Sequence, residues 1–355
     1  MPMPPAPPPL TPDLPGVGGR IKVQPEDFEV EELPAYEPSG TGDHLYLWVQ
    51  KRDIASEYFV KTVARRLNVH PGDVGTAGQK DRRAVARQWV SVPAAAEPNL
   101  GKLDGDGLTL LTVSRHGNKL KPGHLRGNRF RILIRDADPA RQADAVRVLA
   151  RLRDQGMPNY YGPQRFGRDG DTLELGKLCL AGKQPRRVRP FLFKFALSAV
   201  QSWLFNDYLG RRLADGLFRT VLPGDVLMKW PAGGIFRADD VAAEQARFDA
   251  RETVTAGPMF GKRTFPAAGV AAEREAAVLR DNGLSPAAFD GFGKLMSGTR
   301  RHNLVYIDDL AAAWEPAGLR LAFTLPSGCY ATVLLREVMK ADLEEEPAGD
   351  EVVED

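Results

Sequence analysis

Cysteine and histidine are scarce in this chain, with two cysteines and five histidines among 355 residues. Cys179 and Cys329 suggest no disulfide framework, and His44, His70, His116, His124 and His302 are scattered without metal-ligand spacing. Long apolar runs are also missing, since none approaches the roughly 20 residues that cross a bilayer. Met1 to Pro15 is rich in proline and carries no basic segment followed by an apolar core, so it does not read as a secretion signal. The stretch Gly16-Val17-Gly18-Gly19 has no strand before it and no helix after it, which excludes a dinucleotide fingerprint. These absences point to a cytoplasmic chain with no metal, no cofactor and no membrane partner.

What is present is ordinary globular composition, 43% hydrophobic and 26% charged, long enough for two domains. The net charge of +2 conceals an asymmetry: residues 341–355 hold eight acids and no base, so the preceding 340 residues carry +10. Arg115–Arg135 contains seven Lys or Arg and no acid, and Lys183–Lys194 contains five more and no acid. A basic body of this kind suits a polyanion, although a solvated basic face has the same composition.

Along the chain, residues 1–19 read as a disordered Pro-rich arm and 341–355 as a disordered acidic tail. Short strands are expected at Arg20–Val23, Phe28–Glu32, His44–Gln50, Val74–Ala77, Trp89–Val92, Leu108–Val113 and Phe130–Arg135. Ser56 is placed to cap a helix that presents Phe59, Val60, Val63 and Leu67 on one face. A second helix follows Pro139, with Val146, Leu149 and Leu152 on its apolar face. Later helices are expected at Phe191–Leu213, Val241–Thr253, Ala271–Asp281 and Ala331–Met339, and a strand at Leu319–Leu325, with Ala256–Gly269 irregular. This order predicts an α+β fold with a largely antiparallel sheet, interrupted at about 157–308 by an α/β insertion.

The segment Gly78-Gln79-Lys80-Asp81-Arg82-Arg83-Ala84-Val85-Ala86-Arg87-Gln88-Trp89 sets one carboxylate, Asp81, among Lys80, Arg82, Arg83 and Arg87. Nearby positive charge keeps an acid ionised. An ionised carboxylate beside phosphate-binding cations is what an RNA-modifying nucleophile or base needs. A solvated salt-bridge cluster would look the same in composition.

This segment resembles the G-x-K-D-x-x-A-V-x-x-Q motif of the TruD family of tRNA pseudouridine synthases. Asn159-Tyr160-Tyr161-Gly162-Pro163-Gln164-Arg165-Phe166-Gly167 is similar to the family's N-Y-(F/Y)-G-x-Q-R-F-G segment. Leu325-Pro326-Ser327-Gly328-Cys329-Tyr330-Ala331-Thr332 is similar to its L-P-x-G-x-(F/Y)-A-T segment. The resemblance runs from about Arg20 to about Lys340. It implies a pseudouridine synthase catalytic domain, 20–156 with 309–340, interrupted by an insertion domain at 157–308, with RNA bound between them.

The resemblance further implies that Asp81 is catalytic and that tRNA is the substrate, at uridine 13 of the D-arm, with no protein partner. Phe28 in Pro25-Glu26-Asp27-Phe28-Glu29-Val30 and Asn128 and Phe130 in Gly127-Asn128-Arg129-Phe130 match family motifs, and Tyr330 lies in the third block. The three aromatics are expected to support a flipped base, Asn128 to line the site, and Lys22 to pair with Asp81. Core packing is the rival role for each aromatic, and a strand-entry turn the rival for Asn128. For the second block a structural role at the domain junction is favoured over RNA contact. Pseudouridine formation moves no electrons to or from a partner and adds no atoms, so the reaction calls for no cofactor. The carboxylate could attack C1′ or C6, or deprotonate a glycal-like intermediate, and the sequence does not choose. Two rival functions remain open at this stage. One is a non-catalytic RNA-binding or RNA-folding factor on the same scaffold. The other is a glycosidase, which would need a second carboxylate that these motifs lack.

Overall fold

The computed structural model describes residues 6–183 and 187–341. The acidic tail after Ala341 and part of the Lys183–Lys194 basic stretch lie outside them. The chain opens with β1 (Phe28–Pro34), β2 (His44–Arg52), α1 (Ser56–Leu67), β3 (Gly75–Thr76), β4 (Val85–Pro93), β5 (Leu108–His116) and β6 (Leu125–Arg135). Then come α2 (Gln142–Gln155), β7 (Met157–Pro158), α3 (Asp171–Leu180) and α4 (Pro190–Ala214). Strands β8 (Val226–Lys229) and β9 (Ile235–Arg237) lead to α5 (Val241–Asp249), β10 (Thr253–Met259) and α6 (Gly269–Asp281). The chain closes with β11 (Thr299–His302), β12 (Leu304–Val305), β13 (Ala311–Glu315), β14 (Gly318–Pro326) and α7 (Ala331–Met339).

The main sheet has eight strands in the order β13-β14-β6-β1-β4-β2-β5, with β3 paired to β4. It is mixed: β1 and β4 run parallel, while its other pairs are antiparallel. Alternation along each strand separates two faces. Phe28, Val30, Leu45, Leu47 and Val49 are buried on the face covered by α1, α2 and α7. Glu29, Glu31, Arg87, Arg129 and Arg131 form a charged ladder on the other. A four-stranded sheet, β11-β10-β8-β9, is built wholly from the 157–308 stretch. The largest apolar cluster runs from Phe130 and Ile132 through Leu334 and Leu335 to Phe205 and Val254, so both sheets share one core. Among the described residues no helix is long and apolar enough to cross a membrane.

Several expectations are corrected. The arm read as disordered packs instead from residue 6 onward: Leu10 and Val17 are buried, and Leu10 N and Thr11 N donate to the buried Glu337 carboxylate. Val17 N donates to Val338 O at 3.0 Å. Apolar residues spaced between prolines have little chain entropy to lose on docking, and α7 offers them a surface. Arg20–Val23 is reduced to a single bridge between Arg20 and Arg135, because Lys22 turns into the left-handed region at φ 55°. Ser56 is the first helical residue rather than the cap, which is Ala55. In α2 the buried face is Val148, Leu149 and Leu152, while Val146 is 59% exposed. The helix expected to reach Thr253 ends at Asp249, and β10 takes the start of the stretch expected to be irregular. Every residue of β10 is buried, and Gly257 lets α4 come close.

Candidate active site

Asp81 lies on the loop between β3 and β4, which crosses the helix-covered face of the main sheet. Its carboxylate is 44% exposed and accepts a 2.6 Å hydrogen bond from Lys22 Nζ, itself 24% exposed. The left-handed backbone at Lys22 directs that side chain inward. Strained conformations of this kind persist where the surroundings over-determine them. The Lys22 ammonium also stands 4.5 Å over the Phe28 ring, so it touches both acid and aromatic floor.

The backbone beneath Asp81 is held by buried charge. Lys51 is fully buried, and its Nζ donates to Ile54 O at 2.7 Å, Lys80 O at 2.9 Å and Asp81 O at 3.1 Å. Three carbonyls match the three donors of an ammonium. Burial pulls the Lys51 pKa down to about 8, against the pull of the nearby Asp81 charge and with help from Lys80. Lys80 Nζ reaches Glu32 at 2.7 Å in a buried pair, and Glu32 also accepts from Trp89 N. Ser56 Oγ accepts from Lys80 N and donates to Lys80 O. Arg83 adds a bond to Val23 O at 3.0 Å, tying the loop to the Lys22 turn. Apart from the Lys80–Glu32 side-chain pair, these bonds fix backbone, and the Asp81 carboxylate stays 44% exposed with Lys22 as its partner.

Phe28 and Phe130 meet edge to face at 6.0 Å and are 2% and 7% exposed. Phe323 stacks on Phe130 at 5.3 Å, making a floor of three rings rather than an open stacking platform. Asn128 follows on the same face, between Glu32 and Leu325, and its Oδ1 is buried without a hydrogen-bond partner. Lys22, Phe28, Asp81 and Phe130 are thus linked by contacts, with Asn128 one strand alternation away. Tyr330 stands apart from this set, at the N-cap of α7 with its ring edge-on to Tyr161 at 5.7 Å. Burial raises its hydroxyl pKa. Among the described residues no group of three or more His, Cys, Asp or Glu could hold a metal.

The second block sits where the two sheets meet. Tyr160 is in the shared core and Phe166 in the α3–α4 cluster. Tyr161 exchanges two backbone hydrogen bonds with the Asn206 amide, and Arg165 grips Ser198 and Ser202 of α4. Asn159 is clamped by Arg301, which also donates to Gly328 O. Sequence reasoning missed Lys51, Glu32, Phe323 and Arg301. Register offered a signal for two of them: Lys51 ends the inward series Leu45, Leu47, Val49, and Glu32 ends the inward series Phe28, Val30. A charge on an inward register requires a buried partner.

The model of the family described as tRNA pseudouridine synthase D (TruD) matches residues 9–195 and 183–338. The tRNA pseudouridine synthase D of Anaeromyxobacter sp. (strain Fw109-5) is 44% identical over 340 residues, covering 94% of this chain and 96% of that protein. A Thermus thermophilus protein of the same name is 44% identical over 348 residues, covering 96% of each. A crystal structure of a TruD-type protein from Methanosarcina mazei is similar with a TM-score of 0.77 at 24% identity, covering 93% of this chain and 95% of that one, which speaks to the fold. With matches spanning nearly its whole length, the chain belongs to the TruD family of tRNA pseudouridine synthases.

Proposed function

We propose that this chain isomerises uridine 13 in the D-arm of tRNA to pseudouridine, with Asp81 as its catalytic carboxylate. The observation that carries the reading is the half-exposed Asp81 carboxylate, held by Lys22 above the Phe28–Phe130 floor. In the reaction the N1–C1′ bond breaks, the base turns, and a C5–C1′ bond forms. C5 then loses a proton and N1 gains one, so nothing is oxidised or reduced. Asp81 is placed to act on the nucleoside and to accept the C5 proton. The Lys22 ammonium, 2.6 Å from Asp81 Oδ1, orients the carboxylate for both tasks. The unpartnered Asn128 Oδ1 is an acceptor for the uracil N3–H, and uracil would satisfy a buried atom that otherwise lacks a bond. Phe28 and Phe130 would lie beneath the flipped base, while Tyr330, at the start of α7, is assigned to it on the family motif alone.

The same reading divides the chain into a catalytic part, 20–156 with 309–340, and an insertion, 157–308, with RNA lying between them. The confinement of each sheet to one of these parts supports the division. The Asn159–Arg301–Gly328 clamp is then a brace across the junction.

Asp81→Asn tests the assignment. The amide keeps the shape but can neither attack nor accept a proton, so pseudouridine formation should fall below detection while tRNA affinity and melting temperature stay near the parent's. Single-turnover activity within about tenfold of the parent, roughly the scale of losing a minor positioning contact, would remove Asp81 from this role.

A further inference from the structure

A second cavity, of about 420 Å³, opens between the β6–β14 end of the main sheet and the four-stranded sheet. Its walls include Arg126, Tyr161, Trp230, Arg301, His302 and Ser327, and among the described residues no Asp or Glu lines it. None of Lys22, Phe28, Asp81, Asn128 or Phe130 lines it either. Arg126 precedes Phe130 by four residues on β6, about 13 Å at about 3.3 Å per residue. The cavity thus shares no residue with the set around Asp81 and adjoins it along β6, where Asn128 follows Arg126 by two residues. Tyr161 on its wall meets the Tyr330 ring at 5.7 Å.

Its chemistry is selective. Trp230 is half-buried, edge-on to His302 at 5.4 Å and to Tyr306 at 5.5 Å, which fixes its ring plane. The Arg301 guanidinium lies 4.0 Å over the Tyr161 ring, held by Asn159 Oδ1 at 2.6 Å and Gly328 O at 2.8 Å. Buried His302 Nε2 has no hydrogen-bond partner among the described residues. Burial and the neighbouring Arg301 charge push the His302 pKa down to about 4, so the ring is neutral and can accept or donate one hydrogen bond. The Arg126 side chain carries no ion pair among the described residues, and it is exposed at the rim. A fixed aromatic ring, a neutral polar ring edge and a rim cation outside any ion pair among the described residues are parts that hold a nucleobase and its phosphate, although Glu31, Glu32 and Glu37 line a pocket on the other side of Arg126. The volume falls in the range of small-ligand sites, about 300–1,000 Å³.

We propose that this cavity takes a second, unstacked nucleotide of the tRNA, a neighbour of the target uridine, with its base against Trp230 and its phosphate on Arg126. The proposal rests on the reading of Asp81 as the isomerisation site. Capture of a neighbour would hold the strand open beside the flipped uridine and add recognition that the uracil alone does not supply.

The test pairs Trp230→Ala and Arg126→Gln with tRNA transcripts carrying one abasic nucleotide at each position flanking the target. Binding and single-turnover rate at saturating RNA are both read. With intact tRNA, Trp230→Ala should weaken affinity roughly five- to 100-fold, the loss of one base–aromatic stack, with the saturated rate changed much less. One abasic position should weaken the wild type equally and leave Trp230→Ala unaffected further, a coupling that a merely structural tryptophan would not give. Arg126→Gln should lower the slope of log affinity against log salt by about one. It needs no repair of the fold, so it decides the matter if Trp230→Ala does not fold. Parental affinity and slope in the variants, or no abasic position coupled to Trp230, would overturn the proposal. A wild type active on uridine with uncoupled variants ends only the second pocket, whereas a wild type inactive on tRNA ends the reading beneath it.

Discussion

Lys51 occupies the last inward position of β2, where three apolar residues precede it. An ammonium there is tolerated because three carbonyls receive its protons, and two of them belong to Lys80 and Asp81. Its role is positional: it fixes the peptide from which the Asp81 carboxylate projects. Lys51→Met would take the ammonium donor from Ile54 O and Asp81 O and leave Lys80 O with Ser56 Oγ alone, letting the loop drift. The single-turnover rate should fall roughly 10- to 100-fold, the scale of a displacement near 1 Å, with tRNA affinity nearly unchanged. Lys51→Arg should recover part of the rate. The pH dependence has two opposed signs. Folding lowers the Lys51 pKa from 10.5 to about 8, so between those values the unfolded chain binds the proton that the folded one releases. That contribution to stability rises with pH across the window. The neutral amine, however, has two donors for three carbonyls, so the rate should decline as pH passes about 8 even as the melting temperature does not. A rate that stays flat through that range in the parent, and matches Lys51→Met, would contradict the clamp.

At the level of elements, the four-stranded sheet packs on α4 through β10. Gly257, in the middle of β10, faces Phe205 and Tyr208 of α4. A Cβ there would stand 2.7 Å from Asn303 Oδ1 and 2.9 Å from Phe205 Cε2, neither of which sits at the end of a flexible chain in open solvent. Gly257→Ala should therefore cost about 1–3 kcal/mol in urea unfolding, the usual penalty of overpacking. A variant as stable as the parent would mean that the helix can shift away from the strand without loss. The same glycine explains why a Gly- and Pro-containing segment became a fully buried strand: the missing side chain is the space the helix occupies.

Across the molecule as a whole, folding redistributes the basic stretches. Arg115 pairs with Glu97, Arg129 with Glu31, Arg131 with Glu29 and Arg135 with Asp27, so much of the first stretch is answered by acids distant in sequence. Lys119 donates to Gly72 O. Paired cations release fewer counterions when RNA binds, so the affinity should depend on salt less steeply than composition suggests. Lys183, Arg187, Arg189 and Lys194 have no ion pair among the described residues, and they are the better candidates for phosphate contact. Replacing Arg187, Arg189 and Lys194 by Gln should reduce the slope of log affinity against log salt by about 2–3, at about 0.7–0.9 per contact. Replacing Arg115, Arg129 and Arg131 should reduce it far less. Equal reductions from the two sets would show that the acids do not hold those arginines once RNA arrives.

The family is legible in the chain alone, because three motifs are written in contiguous residues that keep their order whatever the fold does. Most elements are legible too: the expected helices at Phe191–Leu213 and Ala331–Met339 fall within a residue or two of α4 and α7. Periodicity is a local property, and these segments are long enough for it to prevail. How the site is held emerges only on folding. The left-handed turn at Lys22, the Lys80–Glu32 pair and the three carbonyls on Lys51 join residues that no sequence spacing relates. The docking of residues 6–19 on α7 was illegible for the same reason: Leu10, Val17 and Glu337 have partners only after the chain has closed on itself. A buried charge is stable only when its partners arrive with it, and their arrival is a property of the assembled fold.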